Sequence, residues 1–275
     1  MKWEGDAESS NVEDSRGMGG KLAMGGGGIS ILAVVVYLLT GVNFNGGGGQ
    51  GVQQAPTETP AAQQEKVKFV KVVLKYTEEV WDAEFPKHRK RYQQPKLDVF
   101  SGQVKSACGL ADSAVGPFYC PGDNIVYIDL TFFDEMERKL NAPGEFARAY
   151  VIAHEVGHHV QNLLGINARV KANDNDASVR LELQADYLAG VCLGFANRKH
   201  KFLERGDIDS ALHAAFAIGD DTLQKRGGRG TVMPEKFTHG KSAQRMKYFK
   251  EGFEQPDGWF ERLDHFFAAR SSQDL

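Results

Sequence analysis

Apolar residues recur every three or four positions in several stretches of this chain, the pattern of helices that bury one face. The first such stretch covers residues 67–85, and Pro86 would end the helix. A longer one begins at about residue 143 and ends near Gly165, glycine being the usual terminator of a helix. Further helices are predicted at 179–190, 207–218 and 243–253.

Two stretches carry the pattern of β-strands instead. Residues 97–104 alternate between apolar and polar side chains, and residues 125–130 are rich in β-branched and aromatic ones. Because strands and helices both occur after residue 66, the pattern predicts an α+β domain.

An uncharged apolar block, residues 29–44, precedes this predicted domain. It approaches the ~20 apolar residues of a spanning helix once its neighbouring glycines are counted, so it is predicted to be a transmembrane anchor. A cleaved signal peptide, whose apolar core is shorter, is the alternative. Residues 1–28 are polar and glycine-rich, which predicts a disordered tail. Residues 45–65 are predicted to be a flexible linker, which leaves residues 66–275 for the folded domain.

The basic residues around the apolar block predict its orientation. Lys2, Arg16 and Lys21 precede the block, whereas no Lys or Arg occurs from residue 29 to residue 65. By the positive-inside rule the tail is expected in the cytoplasm and the domain on the other side of the membrane. The sequence therefore predicts a single-pass protein of the inner (cytoplasmic) membrane with a periplasmic or otherwise extracytoplasmic domain.

Composition excludes one class of partner. The chain has 275 residues, 41% of them hydrophobic, and a formal net charge of −3, which is compatible with one folded domain of ordinary size. Lys and Arg nearly balance Asp and Glu, so the basic surface of a nucleic-acid-binding protein is not expected.

The segment His154-Glu155-Val156-Gly157-His158 lies within the predicted long helix. One helical turn is ~3.6 residues, so His154 and His158 share a face and can bind one metal ion, with Glu155 beside it. Imidazole binds Zn²⁺ well, and a catalytic zinc usually has three protein ligands and one open position. Glu155 would act there as general base. The alternative is two hydrogen-bonded histidines and a solvated glutamate.

A carboxylate pair in the following helix can complete such a site. Glu182 and Asp186 are four residues apart among apolar neighbours, and a buried charge needs a partner. If the two helices pack antiparallel, Glu182 can be the third metal ligand. Asp186 can then accept the Nδ1–H of a ligating histidine. A solvated helix face is the other interpretation of the pair.

Three cysteines are too few for a disulfide framework. Cys108 and Cys120 flank a glycine-containing loop, and an exported domain would be in an oxidising compartment, so a disulfide between them is predicted. Two unrelated thiols are the alternative. Cys192 lies in a helical run and is predicted to be buried and unpaired.

Other residues could contact a substrate. His239, in the loop Phe237-Thr238-His239-Gly240, and Tyr119 are candidates for stabilising a transition state or touching substrate. A solvent-exposed or locally bonded histidine is the alternative for His239. The strand at 125–130 could be a sheet edge that pairs with an extended peptide, or an interior strand.

In combination these segments resemble the bacterial neutral zinc metallopeptidases. The matching stretches run from Ala107-Cys108-Gly109 and Gly116–Asp123, through Ala153–Gln161 and Glu182–Asp186, to Phe237–Gly240. The second helix is also similar to the gluzincin arrangement. The resemblance implies an α+β, zincin-like metallopeptidase domain with a small antiparallel sheet and several helices, preceded by one transmembrane helix. It implies that His154, His158 and Glu182 bind one zinc ion per chain and that Glu155 is the base. Asp186 would accept a hydrogen bond from a ligating histidine.

The sequence thus predicts a membrane-anchored zinc peptidase that hydrolyses peptide bonds in peptide or protein substrates through a metal-activated water. The alternative is a membrane-tethered, zinc-containing binding or assembly protein with little hydrolytic activity.

Overall fold

The computed structural model describes residues 1–16, 59–171, 174–226 and 232–275. The predicted anchor, residues 29–44, and most of the predicted linker lie outside these ranges. Among the helices of the described ranges, none combines the length and apolar character needed to cross a bilayer.

Helices make up most of the described structure. In chain order they are α1 (Pro60–Glu84), α2 (Thr131–Leu140), α3 (Glu145–Leu163), α4 (Asn175–His200), α5 (Asp207–Ala217), α6 (Asp220–Arg226), α7 (Ser242–Glu254), α8 (Trp259–Arg262) and α9 (His265–Ala268). Each helix predicted from the apolar pattern is present. Helix α1 begins several residues earlier than predicted, because Thr59 caps it and Pro60 occupies its first turn. Its exposed first turn carries no apolar signal.

The strands are β1 (Val12–Asp14), β2 (Lys96–Phe100), β3 (Gln103–Ser106), β4 (Gly109–Asp112), β5 (Phe118–Cys120) and β6 (Ile125–Asp129). Four of them form one sheet in the order β1-β2-β6-β5, and β3 and β4 form a separate antiparallel hairpin. The strand predicted at 97–104 is therefore two strands separated by a turn at Ser101-Gly102.

The α+β class is confirmed, but the main sheet is mixed rather than antiparallel. Strands β1, β2 and β6 run parallel, and only β5 is antiparallel to its neighbour. The chain between β2 and β6 contains the β3–β4 hairpin and β5. It is long enough to return to the end of the sheet where β2 begins, so β6 can run parallel to β2. Strand β6 is interior, so the edge strand on this side of the sheet is β5.

The first sixteen residues differ from the predicted disordered tail. Met1 and Trp3 are buried, and the Trp3 ring meets Phe69 edge-on with 5.4 Å between ring centroids. Trp3 Nε1 also donates a 2.8 Å hydrogen bond to Glu145 Oε1. Strand β1 continues the main sheet beside β2. A few large side chains and main-chain pairing hold this segment in place. It is therefore ordered without periodic apolar residues.

The predicted localisation is wrong. A tail that is hydrogen-bonded into the domain's own sheet cannot lie on the opposite side of a membrane from that domain. The described ranges also contain no helix able to span a bilayer. These findings contradict a single-pass inner-membrane protein with a cytoplasmic N-terminus and an extracytoplasmic domain.

Helices α3 and α4 pack closely at the predicted metal site. An added Cβ at Gly157 would lie 3.0 Å from the carbonyl oxygen of Ala185, so the glycine allows the two backbones to approach. Helix α4 packs even more closely on α7, where an added Cβ at Gly190 would lie 2.1 Å from Phe249 O. The site is therefore built on three helices whose backbones pack closely against one another.

The packing of the N-terminal segment is testable by removing one side chain. Trp3→Ala is expected to lower the free energy of unfolding by about 3–5 kcal/mol, because it deletes a buried indole and its hydrogen bond. Urea unfolding followed by circular dichroism measures this. The matched control is Lys2→Ala, an exposed neighbour expected to change stability by less than about 0.5 kcal/mol. Equal stability of the two variants would contradict the packing.

Candidate metal and catalytic centre

Three predicted ligands meet where α3 and α4 face each other. His154 Nε2 lies 3.2 Å from Glu182 Oε2, and His158 Nε2 lies 3.4 Å from Glu182 Oε1. The three ligand atoms all fall within 4.8 Å of one another. Two donors bound to one tetrahedral zinc at about 2.0–2.1 Å are roughly 3.3 Å apart. The spacing therefore fits a single zinc ion.

The chemistry of the donor set fits a cation as well. Glu182 is 3% exposed, and its Oε2 is buried with no hydrogen-bond partner. An ionised carboxylate in such a position needs a positive charge close by. Among the ion-pair contacts of Glu182 in the described ranges, positive charge could come from a protonated His154 or His158. It could also come from the more distant Arg245, whose Nη2 is 3.7 Å from Oε2. A divalent ion meets this need directly.

Protons and a metal compete for the two histidines. Burial by itself lowers the pKa of His154, but the carboxylates of Asp186 and Glu182 outweigh it and raise the pKa to about 10. The pKa of His158 is also raised, by Glu182 against the effect of burial. Because a ligating imidazole must be neutral, metal binding here displaces protons.

Asp186 contacts His154 on the side of the ring away from Glu182. His154 Nδ1 donates to Asp186 Oδ1 at 2.9 Å, and the same oxygen accepts the Tyr150 hydroxyl at 2.6 Å. Arg245, on α7, donates through Nε to Asp186 Oδ2 at 2.8 Å and through Nη2 to Oδ1 at 2.9 Å. Burial opposes ionisation of Asp186, but the charge of Arg245 outweighs it and lowers the pKa of the carboxyl. His154 Nε2 is thus left free to bind a metal.

Gln161 does the same for His158. His158 Nδ1 donates to Gln161 Oε1 at 2.8 Å. The Gln161 amide nitrogen donates to Leu181 O at 2.8 Å and to Gln184 Oε1 at 2.9 Å, which fixes the orientation of the amide. Both imidazoles therefore present Nε2 toward Glu182.

Glu155 is 3% exposed and lines the same cavity as His154 and Glu182. Burial raises the pKa of its carboxyl, whereas the neighbouring histidines and the main-chain N–H of Tyr119 lower it. Glu155 therefore shares a cavity with two of the three candidate ligands.

His239 reaches this cavity from the loop before α7. Its Nε2 is buried without a hydrogen-bond partner and the ring lines the cavity. On the other side, Nδ1 lies 3.0 Å from Thr238 Oγ1 and 3.2 Å from Asp220 Oδ1. Asp220 Oδ2 also accepts the main-chain N–H groups of Thr238, His239 and Gly240, which fixes the loop. His239 is therefore neither solvent-exposed nor fully bonded.

The Tyr119 hydroxyl is placed elsewhere. It lies within 3.0 Å of Asn124 Oδ1, Asn162 Nδ2 and His159 Nδ1, and burial raises its pKa to about 12. His159 in turn donates Nε2–H to Gln93 O at 2.6 Å. The structure thus uses Tyr119 and His159 to fasten β5 to α3, and only the main chain of Tyr119 faces the candidate centre.

Cys108 and Cys120 form a disulfide with an S–S distance of 2.03 Å, as predicted, and Cys192 is free and buried. The bond joins the turn of the β3–β4 hairpin to the end of β5. It therefore holds edge strand β5 to the neighbouring hairpin.

Four supporting residues escaped the sequence analysis: Tyr150, Gln161, Asp220 and Arg245. Tyr150 is four residues before His154 and Gln161 is three after His158, so helical spacing alone could have indicated both. Asp220 and Arg245 come from elements far along the chain. Only the fold brings those two to the site.

Comparisons with known proteins agree with this geometry. Residues 1–260 match the family model described as "Putative neutral zinc metallopeptidase". The chain is 46% identical over 278 residues to the uncharacterized protein YpfJ of Escherichia coli strain K12, covering 94% of this chain and 96% of that protein. It is 44% identical over 179 residues to the uncharacterized protein Mb2605 of Mycobacterium bovis, covering 60% of this chain and 61% of that protein. No solved structure matches the chain.

The mixed α+β domain thus brings two histidines and a glutamate from two packed helices together in one candidate metal site. The match over most of its length shows that this chain belongs to the neutral zinc metallopeptidase family.

The metal site is tested by measuring zinc content. The purified chain is expected to hold about one zinc per molecule by atomic emission, and His158→Ala and Glu182→Ala are expected to hold almost none, because each removes one of three ligands. His213→Ala, which removes an exposed histidine on α5, is the matched control and should retain zinc. Full zinc content in Glu182→Ala would contradict the assignment.

Proposed function

We propose that this chain is a zinc-dependent peptidase that uses Glu155 as general base and, later in the reaction, as general acid. The observation that carries the proposal is the position of Glu155. This buried carboxylate lines one cavity together with His154 and Glu182, beside a cluster whose spacing fits one zinc ion. A purely structural zinc site would have no use for such a carboxylate.

When bound, zinc would supply Lewis acidity and a water of lowered pKa. Glu155 would accept a proton from that water and then give it to the departing amide nitrogen. The main-chain N–H of Tyr119 would favour the charged carboxylate before the first transfer and after the second. Asp186 and Gln161 would hold the two histidine rings in place throughout.

His239 is proposed as the donor to the oxyanion that forms on the substrate carbonyl. Its Nε2 has no hydrogen-bond partner, and because Asp220 Oδ1 accepts the proton of Nδ1, the ring would donate from Nε2 to the oxyanion when both of its nitrogens carry a proton. Because the loop is fixed by Asp220, the donor is already oriented before substrate binds.

Edge strand β5 is proposed to bind the substrate backbone. It is the outer strand of the main sheet, and the main chain of its Tyr119 is close enough to Glu155 to lower the pKa of that carboxyl. An extended peptide could pair with such an edge and place one carbonyl beside the cluster. Among the described strands, β5 takes the role that the sequence analysis considered for residues 125–130.

The role of Glu155 is tested with a conservative variant. Glu155→Gln is expected to keep its zinc and to lose about 10²–10⁴-fold in kcat, because the base is removed and the ligands remain. Digestion of a peptide library, quantified by mass spectrometry with and without a chelator, measures this. Glu137→Gln, an exposed glutamate on α2, is the control. Zinc-loaded protein without chelator-sensitive hydrolysis would favour a binding or assembly protein instead.

The role of His239 predicts a different kinetic signature. His239→Ala is expected to lower kcat by about 10²–10³-fold with a smaller change in KM, because the donor acts mainly on the transition state. Zinc content should remain at one per chain, and His213→Ala should have the kinetics of the original protein. A change in KM alone would show that His239 only binds substrate.

A further inference from the structure

A basic loop follows α1 at the surface of the domain. It consists of five consecutive basic residues, Lys87, His88, Arg89, Lys90 and Arg91. The last three of them are exposed. The whole chain, by contrast, has a formal net charge of −3. The basic loop is therefore a local region of positive charge on a protein that is slightly acidic overall.

The exposed cations at 89–91 have no ion-pair partner in the described ranges. Lys87 differs from them, because its Nζ lies 2.5 Å from Glu84 Oε1. Asp82, on the last turn of α1, is bonded to a glutamine amide instead. Outside the described ranges the sequence holds a single acidic residue, Glu58. The three charges are therefore available to a partner from outside the chain.

The backbone of the basic loop is fixed. The main-chain N–H groups of Arg89 and Lys90 donate to carbonyl oxygens of the preceding turn at 3.0 Å and 3.1 Å. The His88 ring stacks on Phe260 of α8 with 4.3 Å between ring centroids. Because the loop is ordered in advance, a partner that binds it does not have to order the backbone.

The chain after the basic loop leads directly to the helix that carries Glu155. Gln93 O accepts a hydrogen bond from His159 Nε2 at 2.6 Å, and the Tyr92 and His159 ring centroids are 5.7 Å apart. His159 is one turn after Glu155 on α3. Arg91 is two residues before Gln93, so the Cα atoms of these two are at most about 7 Å apart. The basic loop therefore borders the region where the substrate is proposed to bind.

The same histidine connects the basic loop to edge strand β5. The Tyr119 hydroxyl lies 3.0 Å from His159 Nδ1. A peptide paired with β5 would advance about 3.3 Å per residue. Side chains about three to six positions from the cleaved bond would then come level with the basic loop.

An acidic stretch of a polypeptide is the partner whose chemistry fits this loop. Such a stretch would be attracted to the loop and to little else on a protein of negative net charge. Three unpaired cations are fewer than the roughly six to ten phosphate contacts of a tight DNA complex. A lipid surface would also need exposed apolar side chains. The exposed large hydrophobic residues of the described ranges, Leu110 and Phe216, lie on other elements.

We infer that Arg89, Lys90 and Arg91 form a secondary binding site that selects substrates with an acidic stretch about three to six residues to one side of the cleaved bond. The inference rests on the proposed peptidase function and adds a substrate class. The three cations act on encounter and binding and take no part in bond cleavage. They therefore affect KM and leave kcat unchanged.

A pair of peptides tests the substrate class. The two share one cleaved sequence and carry either glutamates or glutamines at those positions, first before and then after the bond. With the zinc-loaded full chain at low salt, the acidic peptide is expected to have about 10-fold higher kcat/KM, on one side of the bond only. In about 0.5 M NaCl the advantage should fall to about twofold, because salt screens exposed charges.

The outcomes of this test are distinguishable. Equal kcat/KM for acidic and neutral peptides overturns this inference and leaves the peptidase proposal intact. Absence of chelator-sensitive cleavage of every peptide overturns the peptidase proposal, and this inference with it.

Charge reversal assigns the effect to the basic loop. Lys90→Glu combined with Arg91→Glu is expected to remove the preference for the acidic peptide and to leave kcat on the neutral peptide unchanged. Arg205→Glu combined with Arg270→Glu is the matched control, because it reverses two exposed cations elsewhere and changes the net charge equally. Zinc content and thermal unfolding show that each protein is folded. A preserved preference in the loop variant, or an equal loss in the control, overturns the assignment.

A binding measurement separates recognition from cleavage. Zinc-loaded Glu155→Gln is titrated with the fluorescent acidic peptide, and anisotropy gives Kd with and without charge reversal in the basic loop. The reversal is expected to raise this Kd about 10-fold at low salt and to leave the Kd of the neutral peptide unchanged. Duplex DNA and vesicles of anionic lipid are titrated in the same way. Binding of either that is tighter than that of the acidic peptide and is lost on reversal overturns the assignment to an acidic polypeptide.

Discussion

A buried carboxylate with an unpartnered oxygen sets the main requirement of this structure. Glu182 lies between two imidazoles, and its Oε2 accepts no hydrogen bond. A charge in that position would cost several kcal/mol without a compensating cation. The surroundings are arranged to present metal-binding atoms toward it, since both histidines turn Nε2 inward and bond Nδ1 elsewhere. The fold around the site can be understood as the means of holding this arrangement.

Close backbone packing provides that support. Glycine at 157 lets α4 approach α3, and glycines at 190 and 252 let α7 approach α4, where an added Cβ would lie 2.1 Å and 2.2 Å from a carbonyl oxygen. Arg245 on α7 can then reach Asp186, which bonds His154. A distant helix thereby controls the orientation of a predicted metal ligand. The geometry of the site therefore depends on glycines that let the three helices approach one another.

The sequence was sufficient for local features and insufficient for those that depend on assembly. Helical spacing predicted the shared face of His154 and His158 and the pairing of Glu182 with Asp186, because these relations follow from one turn of helix. The Cys108–Cys120 bond was predicted from the glycine-containing loop that the two cysteines flank and from an expected oxidising compartment, and the structure contains the bond. Arg245 and Asp220 have no local signal, since their roles arise from contacts across many residues. The direction of the strands in the main sheet was missed for the same reason.

The N-terminal error has a different cause. Residues 1–16 are short of apolar side chains, and apolar periodicity cannot detect a segment held by two buried apolar residues and by pairing with a strand edge. The predicted orientation relies in part on basic residues of this segment, among them Arg16, whose Nη2 donates to Asp14 in β1. The predicted orientation is wrong because it assumes a tail separate from the domain, whereas β1 pairs with β2 of that domain.

The pairing of β1 with β2 also has a consequence for how the chain folds. Val12 and Leu97 are about 85 positions apart, so forming this contact closes a long loop at an entropic cost of about 4 kcal/mol. The pairing of three residues offsets little of this entropic cost until the rest of the domain has folded and the segment can pack against it. The segment should therefore join late during refolding and exchange its amide protons early, as a local opening that leaves the helical core closed.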